Sequence, residues 1–445
     1  MHAPREVSAP TAPAPWQRTA LGANLLSPGG GLGVTIFEEM TTLAVQTGAI
    51  NLGQGFPDED GPLEIREAAR AAISAGANQY APGKGIPELR EAVSVHQQRF
   101  YGLSPDPATE VVITTGATEA IAASLLAFAG PGDEVLTLEP FYDSYGAVIG
   151  LSGATHVTAP LLAPDFMPDM AALEAAFSPR TKVVLLNNPH NPTGAVFPRE
   201  VLQRIVDLAR THNSIIVTDE VYEHLTFGVG HLPVASLPGA ADRTITISSA
   251  GKTFSLTGWK IGWLTGPEDL VAAVRTVKQF LTYSSGTPFQ WAIAQGLALP
   301  DSFYEGIAAS LQQKRDILSE GLRAAGFDVV ILDIFSGPEA PAHLACSAFY
   351  REVRDRLSPG GVLIVNVGDE PGLTLVRSQV AAMREAMADV AALAETGMFE
   401  GRYPGNIILA GTQTPWPREW TAELTARGPH PAKVLAGVDL DPFAG

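Results

Sequence analysis

Seven short runs rich in apolar and β-branched residues fall between Glu110 and Gly266: EVVITTG, DEVLTLEP, THVTAPL, KVVLLNNP, IIVTDEVY, TITISSA and IGWLTG. Helical patterns such as TEAIAASLLAFAG and REVLQRIVDLARTH separate several of them. Two further helices, LEIREAARAAISAG and PELREAVSVHQQRF, precede them with apolar residues at three- and four-residue spacing. Continuous apolar strands alternating with helices predict an α/β fold, a mostly parallel seven-stranded sheet with helices on both faces. This architecture also restricts where chemistry can sit, because such sheets bind ligands beyond the carboxyl ends of their strands.

The rest of the chain is compatible with that core. Its 445 residues are enough for two or three domains, and 46% hydrophobic with 17% charged residues suits a large buried interior. A net charge of −18 argues against a nucleic acid or an anionic membrane as partner, since either would need a basic face. With one cysteine, Cys346, a disulfide framework is impossible, and a reduced, cytoplasmic setting is expected. The opening MHAPREVSAPTAPAPWQR is rich in Pro and Ala and fits neither a secretory nor a transit signal well; it reads as a disordered leader. The longest apolar run, Ile121–Gly130, is too short to span a bilayer.

The residues after each strand carry the functional signal. Gly116-Ala117-Thr118 follow VVITT and open a helix, whose free N–H groups and positive dipole end make a phosphate cup. Asp219 and Tyr222 follow IIVT, NPHNPTG with Asn191 follows KVVLLN, and Ser249, Lys252 and Lys260 follow TITIS. Each has a plainer reading alone. Most strand–Gly–helix junctions only turn the chain, an acid at a strand end can cap a helix, a Pro-rich loop can be only a stiff turn, and lysines are usually at the surface. Together they call for one ligand with an aromatic ring, a phosphate, a protonated ring nitrogen, a phenolic oxygen and an aldehyde. Pyridoxal phosphate meets that description. Lys252 would form the Schiff base, and Asp219 would keep the ring nitrogen protonated. Tyr222 and Asn191 would bond the phenolic oxygen, while Ser249, Lys260 and the 116–118 amides would hold the phosphate. His190 and His224 sit inside these motifs and read as structural.

NNPHNPTG, VTDEVYEHLTF, SSAGKTFSLTGWKIGW, NLGQGFPDEDGP, NQYAPGKGIPELR and EPFYDSY resemble, in order, the motifs of class I/II aminotransferases of fold type I. The resemblance is to the kynurenine/glutamine/methionine aminotransferase subgroup and to N-succinyldiaminopimelate aminotransferases, and covers about 32–329. It implies further roles. Phe141 would stack on the cofactor ring. Tyr80 would reach the phosphate of a neighbouring subunit in a homodimer with shared sites. Gly55 would lie near the substrate carboxylate, with Asn191 also on the substrate side. The implied reaction is ping-pong transfer of an amino group from an amino acid to a 2-oxo acid, with Lys252 moving the proton and Asp219 and Tyr222 as the other catalytic residues. The same geometry can support β-elimination, so a C–S β-lyase and an inactive cofactor binder remain alternatives.

From Phe327 the pattern changes. The family's closing small-domain segment, with its carboxylate-binding arginine, is replaced, and Arg377 and Arg402 lack that arginine's context. FDVVILDIFSG, PAHL, LSPGGVLIVNV and GNIILAG instead resemble the C-terminal half of spermidine synthase-like proteins, which implies a partial Rossmann-like methyltransferase-type α/β fragment. The expected organisation is a leader and arm over 1–31, an aminotransferase region over 32–327, and this fragment over 328–445. VVILDIF and SPGGVLIVNV are expected as buried strands and TLVRSQVAAMREAMADVAAL as one long helix. Asp333 matches the first acid of the synthases' Asp-x-x-Asp-Pro element, but Ser336 or Gly337 stands at the second. The nucleotide-binding half is missing, which weighs against aminopropyl or methyl transfer. His343 and Cys346 have no metal-ligand spacing. The join lies where both families read Phe-Asp-Val, as expected of a gene fusion or an assembly join.

Overall fold

The computed structural model describes residues 13–26, 31–51, 57, 59–332, 344–427 and 432–441. Gly55, Asp333, Ser336, Gly337 and His343 lie outside the described residues. The chain divides into two compact units, Met1–Gln312 and Gln313–Gly445, with the boundary inside the helix Asp301–Ala325.

The first unit is built on a sheet of eight strands: β1 Val111–Thr115, β2 Glu134–Glu139, β3 Thr155–Leu162, β4 Met167–Pro168, β5 Thr181–Asn187, β6 Ile215–Asp219, β7 Thr244–Ser249 and β8 Ile261–Thr265. Their spatial order is β1-β8-β7-β6-β5-β2-β3-β4. The five strands β7, β6, β5, β2 and β3 run parallel. β8 runs against both β1 and β7, and the two-residue β4, not expected from sequence, runs against β3. Burial on both faces explains the near-continuous apolar runs: Val183, Val184, Leu185 and Leu186 of β5 are each 1% exposed or less. The helix Arg199–Thr211 buries Leu202, Ile205, Val206 and Ala209 along one stripe, as its periodicity predicts.

Of the expected disordered leader, 1–12 lie outside the described residues, and the described part departs from expectation. Pro15–Gly22 is a helix packed on the helix Ser144–Ser152. Proline at its first position suits a helix start. The contact depends on glycines in the partner helix, since a Cβ on Gly146 would lie 2.2 Å from the Gly22 carbonyl oxygen and one on Gly150 2.3 Å from that of Arg18. The Arg18 Nε also donates to the Gly150 carbonyl at 3.1 Å.

In the second unit, β9 Phe327–Leu332, β10 Leu357–Asp369, β11 Asp389–Glu395, β12 Gly405–Thr412 and β13 Ala432–Ala436 form a sheet in the order β13-β11-β12-β10-β9. Only β9 and β10 are parallel; the other three pairings are antiparallel. Two expectations need correction. β9 is an edge strand rather than a buried one, with Val329 and Ile331 at 51% and 68% exposure. The expected long helix stops at Arg384, and Asp389–Glu395 becomes a strand between β12 and β13. Its alanines suit either structure, and pairing on both sides decides the outcome. Val365, Val367, Val376, Val380, Ile407 and Leu409 anchor this unit's own core. Among the described residues no helix is long and apolar enough to cross a membrane.

Candidate active site

The parallel strands β5, β6 and β7 deliver their carboxyl ends to one place. A cavity of about 200 Å³ there is lined by Gly116, Ala117, Thr118, Asn191, Asp219, Tyr222, Ser249, Lys252 and Lys260, among others. Nine residues singled out in the sequence thus meet although they are spread over about 145 positions.

The charged groups are tuned by this setting. Asp219 ends β6 and is buried. Burial raises its carboxyl pKa to about 6, against the opposing bond from the Tyr145 hydroxyl to Oδ2 at 2.8 Å. The Asp219 backbone carbonyl accepts from Asn187 Nδ2 at 2.8 Å, and Asn187 Oδ1 accepts from the Asn191 N–H at 2.6 Å. This ties the NPHNPTG loop to the acid. The Lys252 ammonium lies 5.7 Å from the centre of the Tyr222 ring. Burial lowers the Lys252 pKa, Lys260 lowers it further and Asp219 opposes both. Burial beside Asp219 pushes the Tyr222 hydroxyl up to about 12, so it is a hydrogen-bond donor at neutral pH.

The opposite wall is a helix N-terminus. Gly116 has φ +70°, a conformation that favours glycine, and a Cβ there would lie 3.3 Å from Lys260 Cε and 3.4 Å from Nζ. Gly262 lets β8 press against the same turn, since its Cβ would lie 2.6 Å from the Gly116 carbonyl carbon. Backbone amides, Ser249 and Lys260 therefore surround a space that no side chain fills, the requirements of a phosphate. On the same cavity the buried Asp219 carboxylate meets the demand of a protonated ring nitrogen.

One expected cofactor contact falls elsewhere. Phe141 does not line the cavity; its ring packs on His156 at 4.7 Å, and the neighbouring Tyr142 lines the site instead. Tyr80, expected to meet a neighbouring subunit rather than this cavity, is 85% exposed and edge-packed on Tyr283 at 5.7 Å. In the second unit, Arg402 pairs with Glu400 at 2.5 Å. Sequence reasoning missed Tyr142, Tyr145 and Asn187. All three lie in motifs already quoted, EPFYDSY and NNPHNPTG, but only side-chain direction gives them a role.

The sequence profile described as aminotransferase class I and II matches residues 47–394. The chain belongs to the class I and II aminotransferases. It is 51% identical over 299 residues to the probable N-succinyldiaminopimelate aminotransferase DapC of Mycobacterium tuberculosis, covering 66% of this chain and 75% of that one. It is 40% identical to the methionine aminotransferase of Escherichia coli, covering 67% and 78%. The solved structure of N-succinyldiaminopimelate aminotransferase from Mycobacterium tuberculosis superposes with a TM-score of 0.65 at 50% identity, covering 66% of this chain and 77% of that chain. This aminotransferase works with pyridoxal phosphate, moving an amino group between an amino acid and a 2-oxo acid. The lyase and inactive-binder readings are not favoured by these relatives.

Proposed function

We propose that Lys252, Asp219 and Tyr222 are the catalytic residues of a ping-pong transamination. The observation that carries this is their convergence, with Asn191, Ser249 and Lys260, on one cavity at the carboxyl edge of the parallel sheet. Pyridoxal phosphate supplies an electron-accepting ring and an aldehyde carbon. Lys252 would hold the cofactor and, when free, would carry the proton to and from the substrate α-carbon; its lowered pKa suits both tasks. Asp219 would pair with the ring nitrogen, and that cation would pull its carboxyl back towards the ionised form. Tyr222 and Asn191 would bond the phenolic oxygen, while the 116–118 amides, Ser249 and Lys260 would hold the phosphate. Tyr142, which lines the cavity, would be the aromatic neighbour of the ring. Asn191 would also face the substrate.

The first substrate to try is N-succinyl-diaminopimelate with glutamate as its pair, on the 51% identity to the enzyme so named; methionine, glutamine and kynurenine follow. The exposed Tyr80 fits a homodimer in which it reaches the partner subunit's phosphate. The single cysteine fits a cytoplasmic setting. The division at 1–31, 32–327 and 328–445 remains our reading of the chain's origins. For the last segment, the parallel β9–β10 pair followed by a reversed β12 between β10 and β11 supports descent from a spermidine synthase-like, Rossmann-type half. Two intact genes at the resequenced locus would refute that fusion.

The test of the cofactor site is the absorption of purified protein with pyridoxal phosphate before and after borohydride, followed by peptide mapping. A yellow species trapped on Lys252 is expected. Label scattered over surface lysines would overturn the assignment.

A further inference from the structure

Directly behind Tyr222, the loop after β6 carries a buried polar cluster that none of the roles above uses. His224 lies two residues beyond Tyr222, and its Nε2 is 2.7 Å from Nε2 of His96, which lies on the helix Pro87–Tyr101. Glu223, between Tyr222 and His224, accepts a hydrogen bond from the Ser248 hydroxyl. His96 is 1% exposed and Glu223 4%. Phe100 and Tyr304 close around His224, with ring centres 4.7 and 4.4 Å away.

Two arrangements fit three such side chains. Ligand atoms of His96, Glu223 and His224 lie within 4.8 Å of one another, and two imidazoles with a carboxylate suit a zinc ion. Tetrahedral coordination at a Zn–N bond of about 2.0 Å, however, separates two nitrogens by about 3.3 Å. The observed 2.7 Å is instead a hydrogen-bond distance. The position of the proton follows from burial. Nδ1 of His96 is buried with no hydrogen-bond partner among the described residues. An unpartnered buried N–H costs about 1–3 kcal/mol, so Nδ1 is better left bare and the proton placed on Nε2. His96 then donates to His224, whose own proton sits on Nδ1.

We propose that His96, His224 and Glu223 are positioning residues that hold Tyr222 against the cofactor's phenolic oxygen, with one proton shared between the two imidazoles. The inference rests on the role given to Tyr222 above. Glu223 bonds the end of β7 one residue from Ser249, and His224 anchors the same loop to a separate helix. Tyr222 is thus held from two directions. A second proton on the pair would set two N–H groups face to face and break the contact. Burial lowers both imidazole pKa values, that of His224 to about 4, and nearby Arg99 adds to this. The Glu223 carboxylate opposes it, while Glu220 is occupied by His231 at 2.8 Å; the Tyr101 and Tyr304 hydroxyls stay neutral as burial raises both. The pair therefore keeps a single shared proton through neutral pH.

The test reads the pH midpoint of the visible absorption of the Lys252-bound cofactor, together with the metal content of the purified protein. A hydroxyl donating to the phenolic oxygen competes with the protonated Lys252 link for that oxygen. Its loss raises the midpoint. Tyr222→Phe sets the ceiling. His224→Phe keeps the ring packing and removes only the nitrogens; it is expected to raise the midpoint by about 0.5–1 pH unit, the worth of one net hydrogen bond. His96→Leu serves as a second disruption, and His96→Gln, which can still donate to His224, is expected to return the midpoint towards wild type. Adding His224→Phe to Tyr222→Phe is expected to add nothing. An unchanged midpoint in folded His224→Phe or His96→Leu overturns the proposal, as does stoichiometric zinc lost on either change. No shift in Tyr222→Phe overturns the role of Tyr222 itself, which separates that failure from failure of the network.

Discussion

The two units use the same materials, apolar strands and amphipathic helices, and put them to different use. In the first, β5, β6 and β7 are parallel neighbours, so their carboxyl ends deliver Asn187, Asp219 and Ser249 to one edge of the sheet. The loops beyond them place polar and charged side chains around one cavity. In the second, β10, β12, β11 and β13 alternate in direction, so successive strand ends fall on opposite edges. Its cavity of about 390 Å³ is walled mainly by sheet-face and aromatic residues such as Ile364, Leu393, Ile408, Trp416 and Trp420. Parallel pairing concentrates chemistry; reversal disperses it.

The sharpest way to break this contrast is at Lys252. Lys252→Ala is expected to lower kcat by about 10³-fold or more, since in the proposed roles it removes both the covalent anchor and the proton carrier. Steady-state assay with the best amino donor checks it, and substantial residual turnover would move the chemistry elsewhere.

Asp219 offers a stability test of the same site. Its carboxyl is raised to about 6 from the ordinary 3.8, so between those values the folded state binds more protons than the unfolded one. Stability of the cofactor-free protein therefore falls as pH rises from about 4 to about 6, and the loss persists above that. Asp219→Asn is expected to recover on the order of 2–3 kcal/mol at pH 7–8 and little at pH 4, while impairing turnover. Denaturant melts of the cofactor-free protein at both pH values would show it. Equal stability at pH 8 would mean that the carboxylate is already compensated.

In the second unit, Leu363→Ala removes a fully buried side chain from β10 and is expected to cost about 2–5 kcal/mol in that unit's unfolding, with borohydride labelling of Lys252 retained. Loss of labelling would show that the two units fold as one. The smallest effect is expected at the edge strand. Ile331→Lys, at a position 68% exposed, should change stability by no more than about 0.5 kcal/mol but reduce self-association through the open edge, as read by light scattering.

The site was legible in sequence because the signals that carry it are local. A strand end, a glycine turn and a helix start are read within ten residues, and the rule for parallel sheets says which ends matter. Lys252, Asp219, Tyr222, Asn191, Ser249, Lys260 and Gly116–Thr118 could all be placed in that way. Phe141 and Tyr142 show its limit, since adjacent residues in a turn point in different directions and periodicity does not say which faces the cavity. Asp389–Glu395 shows another, because an alanine-rich segment takes its form from the strands beside it. Helix Pro15–Gly22 depends on Gly146 and Gly150, some 130 positions away.

The sequence by itself determined the alternation of strands and helices, the residues at the strand ends and the cofactor they suit. These follow from hydrophobic periodicity and from the chemistry of a few side chains. The tertiary structure decided strand direction, the Tyr145 and Asn187 bonds that orient Asp219 and its loop, and the meeting of His96 with His224 across 128 positions. Each depends on groups distant in the chain being brought within hydrogen-bond reach, and only the packed fold sets those distances.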